Sequence, residues 1–158
     1  MNVTIVCVGK LKERYWREAA AEYAERLSRY GKLEIVELPD MPEPDKPTPA
    51  EEQKIRAAEG AAILKKIRPE DFVIALMIEG REMDSVQLSR FLQGNYDTGK
   101  HVVFVIGGSL GLDPAVVGRA NGQLSFSPLT FPHQMARIML LEQIYRSCKI
   151  AAGERYHK

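Results

Sequence analysis

The stretch HVVFVIGGSLGLD, His101–Asp113, decides how the rest of the chain is read. HVVFVI has the apolar, β-branched character of a strand and runs straight into Gly107-Gly108. Asp113 then caps a helical turn, with Pro114 at its first position. Strand, glycine turn and helix make one βα unit, and the question is whether the whole chain is made of such units.

Upstream it is. NVTIVCVGK, Asn2–Lys10, is a β-branched run ended by Gly9, in the style of a strand buried on both faces. In Leu11–Lys32, Trp16, Ala20, Tyr23, Leu27 and Tyr30 recur at spacings of four and three, which is one helix face, and Gly31 ends it. LEIVEL, Leu33–Leu38, is the next strand. Four prolines in Pro39–Pro47 and a fifth at Pro49 mark an exposed connector, too short to divide the chain. Thr48, Pro49 and Glu51 then form a capping box that opens a helix with Ile55, Ala58, Ala62, Ile63 and Ile67 inward. FVIALMI, Phe72–Ile78, is the most apolar strand and is expected at the centre. EGREMDS turns the chain, and Asp84 with Gln87 caps a short helix carrying Leu88, Phe91 and Leu92. Downstream, QLSFS is a last short strand, and a helix runs from about His133 to Ala151.

The order β-α-β-α-β-α-β-α-β-α predicts an α/β fold: one domain over residues 1–158, a parallel-type sheet with helices on both faces. The 158 residues carry 45% hydrophobic and 27% charged side chains, an ordinary globular balance. A net charge of +1 excludes a strongly basic nucleic-acid coat but not a local patch. Cys7 and Cys148 lie in apolar runs and read as buried free thiols in a reducing compartment. No segment approaches the roughly 20 apolar residues of a membrane span, so the cytoplasm is expected. The three histidines show no metal-ligand spacing, and no metal is expected.

In such sheets ligands bind beyond the carboxyl ends of the strands. Three loops leave those ends: EGRE after Ile78, GGSLG after Ile106, and SPLTFPH after Phe126. The glycine turn does not fit G-x-G-x-x-G, comes late in the chain and lacks the acidic partner about 20 residues on, and no phosphate loop occurs. That disfavours a nucleotide-dependent oxidoreductase. In the third loop Ser127, Thr130 and the backbone around Leu129 supply hydrogen bonding. Phe126, Leu129 and Phe131 supply apolar walls, and Pro128 and Pro132 fix the path. Such a loop suits a flat uncharged ring such as adenine.

VIGGSLGL, LSFSPLTFPHQMARIMLLEQIYRSCKI and the terminal YHK, with VGKLKERYW near the start and Glu59-Gly60, resemble the bacterial 23S ribosomal RNA pseudouridine N3-methyltransferases, of the SPOUT class. The resemblance covers essentially the whole chain. It implies a C-terminal trefoil knot with S-adenosylmethionine held in the knotted loops: Leu76 ending the strand before the first, Gly107 and Gly108 forming the second, where a side chain would obstruct the ligand, and Phe126, Ser127, Pro128, Leu129, Thr130 and Phe131 forming the third. It also implies methylation of N3 of a pseudouridine (position 1915) on the assembled 70S ribosome, by a homodimer. A ribosome- or RNA-binding protein that kept the fold without the activity is the alternative.

The last helix is apolar in almost every direction, so it is buried on more than one side; a second protomer is expected on the side the sheet does not cover. Its one polar stripe holds Glu142 and Arg146, a favourable i,i+4 pair, with Glu142 orienting Arg146 toward substrate. GERYHK adds cations, an imidazole and an aromatic ring able to stack on a base. N3 of a uracil-type base is a poor nucleophile until its proton leaves. His157 is expected to take that proton, Arg146 to stabilise the anion and Tyr156 to position the base. Residues 134–158 hold five cations against two Glu, and Lys10–Lys32 hold seven against four; these zones are the expected RNA face. His133 is expected to cap the last helix or sit at the core edge, and His101 to be incidental.

Overall fold

A computed structural model describes residues 1–158. Ten elements alternate without exception: β1 (Asn2–Val8), α1 (Arg14–Ser28), β2 (Lys32–Leu38), α2 (Pro49–Leu64), β3 (Phe72–Glu82), α3 (Ser85–Asp97), β4 (Val102–Ile106), α4 (Pro114–Arg119), β5 (Gly122–Ser125) and α5 (His133–Ala151). The strands form one parallel sheet in the order β2-β1-β4-β3-β5.

Each inner strand is apolar on both sides because there are two cores. Val3, Ile5 and Cys7 of β1, and Val102, Phe104 and Ile106 of β4, point into the core beneath α1, α3 and α5. The alternate residues Val6, Val8, Val103 and Val105 point into the smaller core beneath α2 and α4. The period of two thus splits one apolar run between two layers.

The capping boxes at Thr48/Glu51 and Asp84/Gln87 and the Asp113 cap before Pro114 all form. Elsewhere the structure corrects the expectations. The central place belongs to β4, all five residues of which are buried, and β3 lies one position out. Nor does EGRE turn the chain: β3 continues to Glu82. Leu76 and Arg81 both register with Leu124, so Met77–Gly80 bulge out and pairing then resumes. Gly80 permits this, since a Cβ there would come within 2.6 Å of the Leu124 backbone.

On α2, Ala58 is exposed, while Glu59 and Gly60 turn inward with Ile63. Gly60 lets the helix meet Asp113 beside α4, where a Cβ would stand 2.7 Å from the aspartate Cβ. Cys7 is buried but Cys148 only half so; burial pushes each thiol up to about 11, and neither is ionised near neutrality.

His101 is not incidental. One ring nitrogen lies 2.9 Å from Thr4 Oγ1, the other 2.7 Å from Asp71 Oδ1 and 3.0 Å from Arg68 Nη2. It ties β1 to the turn before β3. Burial would raise the Asp71 carboxyl, but the Arg68 amide, His101 and the Arg68 guanidinium outweigh it and hold it below the usual range.

The all-round apolarity of α5 is largely used within the chain. The helix packs on α1 along one flank and α3 along the other, over the larger core. No helix is long and apolar enough to cross a membrane.

Candidate functional site

Because all five strands are parallel, the turns after β3, β4 and β5 gather at one edge of the sheet. Between them lies a cavity of about 930 Å³, within the roughly 300–1,000 Å³ usual for small-molecule sites. Of the residues expected to hold a ligand, Leu76, Gly107, Gly108, Phe126, Ser127, Leu129, Thr130 and Phe131 line it; Pro128 does not. The bulge Met77–Glu79 supplies the first wall, in place of the turn expected there.

The loop chemistry fits a nucleoside-bearing ligand such as the expected methyl donor. Ser127 Oγ accepts from the Leu129 amide at 3.0 Å and Ser125 Oγ donates to the Ser127 carbonyl at 3.1 Å, which sets the third loop's path. The amides of Thr130 and Phe131 donate to no protein group and are available to a ring edge. Leu76, Ile106, Phe126 and Phe131 offer apolar surface around them.

Gly107 and Gly108 leave little room for a side chain within the protein itself. A Cβ on Gly107 would sit 2.9 Å from the Gly111 carbonyl carbon and oxygen, and one on Gly108 would sit 3.0 Å from Glu59 Oε2 and 3.2 Å from Val8. A side chain on Gly107 would press on the protein's own turn, and one on Gly108 on α2 and β1. That turn closes with the Gly111 amide donating to the Gly108 carbonyl at 3.1 Å, and Gly111 takes φ +81°.

Residues far away in sequence complete the walls. Gln53 and Arg56 enter from α2. Glu59, one turn on, is buried beside Gly108 and accepts from the Met41 amide at 3.3 Å. Its burial first, against the lowering effect of that amide, and the nearby Asp40 and Glu43 hold its carboxyl above the usual range. In the sequence only the pair Glu59-Gly60 of this helix points to the family. No apolar period flags a glutamate on an inward face.

His133 does not cap α5: Pro132 is the N-cap, with no side-chain bond. The imidazole instead lines the cavity against Gly9, where a Cβ would lie 2.9 Å from Nε2. Burial, and then Arg137, lower its pKa. Arg137 leaves the expected RNA face altogether. It is 1% exposed and donates to Glu37 Oε2 at 2.6 Å and to the Gly9 carbonyl at 2.8 Å.

The expected catalytic residues form one cluster of their own. Glu142 Oε1 accepts from Arg146 Nη2 at 2.6 Å and Nε at 3.0 Å, and from the Tyr156 hydroxyl at 3.2 Å. The Tyr156 ring lies 4.6 Å from the Arg146 guanidinium and packs edge-on to Tyr145 at 5.0 Å. Arg146 Nη1 stands 3.4 Å from His157 Nδ1. The tail is moored as well: Glu154 accepts from Tyr30 at 3.0 Å and pairs with Lys149. Within one chain this cluster is not at the cavity. Ala136 marks the cavity's end of α5, and ten positions of helix separate it from Arg146, about 15 Å by helical rise. No group of three or more His, Cys, Asp or Glu is placed to hold a metal ion.

A family model described as "Predicted SPOUT methyltransferase" matches residues 1–157. The chain is 52% identical over 160 residues to the ribosomal RNA large subunit methyltransferase H of Bifidobacterium adolescentis. It is 51% identical over 159 residues to that of Clostridium tetani, and 49% identical over 159 residues to that of Clostridium beijerinckii. Each alignment covers the whole of both chains.

Proposed function

We propose that this chain, which belongs to the SPOUT methyltransferase family, transfers a methyl group from S-adenosylmethionine to N3 of a pseudouridine in 23S ribosomal RNA, as a cytoplasmic homodimer working on the assembled 70S ribosome. The family implies a trefoil knot in the C-terminal part, and the loops after β4 and β5 are its expected crossings. The observation that carries the reading is the convergence of three turns on one cavity, with free main-chain amides at Thr130 and Phe131 and apolar walls beside them.

S-adenosylmethionine, when bound, supplies a methyl group on a sulfonium that departs as a neutral thioether. The side chains must orient the base and remove its N3 proton. Arg146 is a donor only, so its approach to His157 Nδ1 leaves the neutral ring's own proton on Nε2. Nδ1 carries the ring's one accepting lone pair; when it turns from Arg146 to take the N3 proton, Arg146 is released to meet the resulting anion. Glu142 keeps Arg146 in register, and burial, then the Glu142 charge, raise the Tyr156 hydroxyl so that it stays protonated as a positioning group.

A homodimer answers the separation along α5. Ile78 and Leu129 on the cavity wall, and Met135 beside it, are exposed large apolar residues. A partner that covers them brings its own tail cluster to this cavity.

Mass spectrometry of rRNA from cells lacking the protein tests the activity: one methyl group should be missing from a single pseudouridine, and an unchanged spectrum overturns the reading. His157→Ala should lower turnover at saturating substrate by about 100-fold or more while S-adenosylmethionine still binds. Turnover at the wild-type level would remove His157 as the base.

A further inference from the structure

Charge is sparse on the cavity wall. One guanidinium and one carboxylate line it, Arg56 from α2 and Glu79 from the β3 bulge. The only other titratable group there, His133, has its pKa lowered by burial and by Arg137, which favours the neutral ring. Arg56 is therefore the one fixed positive charge on the wall.

Its present partners are poor. Nε and Nη2 both face Gln53 Oε1 at 3.3 Å, Nη1 reaches the Leu110 carbonyl at 3.5 Å, and Glu52 stands 3.7 Å away. A good charge-assisted bond to a carboxylate is about 2.7–2.9 Å. Gln53 is itself held, donating to Asp113 Oδ1 at 3.0 Å, and Asp113 is buried and caps α4. The guanidinium is steered by a fixed neighbour next to the second loop, with three of its five N–H donors in long contacts and two without a partner.

We infer that Arg56 receives the carboxylate at the amino-acid end of the methyl donor, forming a two-pronged pair that no other group on the wall can make. The inference rests on reading the cavity as an S-adenosylmethionine site. The expected adenine loop offers that end of the molecule no cation, and Arg146 of the tail cluster is already forked onto Glu142 at 2.6 and 3.0 Å. The sequence gives no hint of one, since Arg56 sits among the ordinary charges of a helix opened by its own capping box.

The test is calorimetric titration of the full-length protein with S-adenosylmethionine and with its decarboxylated analogue. The wild-type protein should prefer the carboxylated ligand by roughly 10- to 100-fold, the contribution of charged hydrogen bonds. Arg56→Gln should erase the preference by weakening S-adenosylmethionine alone, and Arg56→Lys, which keeps the charge without the fork, should fall between. Each variant is compared with itself across two ligands, so a change in its stability cancels. A preference unchanged in Arg56→Gln, or an equal loss for both ligands, overturns the assignment. Failure of the wild-type protein to bind S-adenosylmethionine at all overturns the reading of the cavity instead.

Discussion

Arg137 donates to Glu37 Oε2 at 2.6 Å across a hundred positions of chain, and its second prong meets the Gly9 carbonyl at 2.8 Å. One buried guanidinium thus joins α5 to β2 and to the turn after β1, directly behind His133 at the cavity. Glu37 is 36% exposed on its side chain and can rehydrate if its partner goes. The Gly9 carbonyl cannot do so as readily.

Arg137→Met should therefore destabilise the protein by about 2–3 kcal/mol. Urea denaturation monitors this as a lower midpoint at unchanged slope. Glu37→Gln keeps an acceptor but leaves the buried Arg137 charge without its counter-ion, so it should cost at least as much. A much smaller loss in Glu37→Gln would mean that the Gly9 contact, and not the charge pair, holds the guanidinium.

Asp71 makes stability depend on pH. Its carboxyl is buried, yet the Arg68 amide, His101 and the Arg68 guanidinium hold it below the usual range. A depressed folded-state value contributes stability that is present above the unfolded value, about 3.9, and is lost as pH falls through the folded value. The wild-type advantage over Asp71→Asn should be full at pH 7 and shrink steadily below about pH 4. Unfolding curves at several pH values check the sign.

Gly107→Ala should disturb the second loop from within. Its Cβ would approach the Gly111 carbonyl group to 2.9 Å and Leu112 Cδ2 to 3.0 Å, a backbone clash costing about 1–3 kcal/mol. Loss of S-adenosylmethionine binding should accompany a lower melting temperature. Lost binding with full stability would mean that the methyl group meets the ligand and not the turn.

Glu154 moors the tail through Tyr30 and Lys149, four residues before the chain ends. Glu154→Ala should let Tyr156 and His157 leave Arg146. Turnover should fall about tenfold or more, by analogy with other lost positioning contacts, while calorimetry shows unchanged S-adenosylmethionine affinity. Tyr30→Phe removes only one of the two moorings and should have a smaller effect.

The alternation of strands and helices, the three N-terminal caps and the extent of α5 were all legible in the sequence, because each is set by neighbours within a few positions. So was the third loop as a stiff, half-apolar strand-to-helix connection, since its prolines and aromatics lie in one run. The bulge at Met77–Gly80 was not, because it depends on Gly80 passing under Leu124 of a strand more than forty positions later. Arg137 was counted with the surface cations for the same reason: only the folded chain brings Glu37 and Gly9 within its reach.

Local chemistry by itself therefore determined a five-stranded α/β chain with three loops at one edge of its sheet, since periodicity, caps and prolines act over a few residues. Tertiary structure alone decided which charges face inward, that His101 is a structural tie, that Gln53 and Arg56 stand on the cavity wall, and that the tail cluster lies apart from the cavity in a single chain. Those are contacts between distant segments. Their energies arise only when the sheet brings the segments together and removes water from between them.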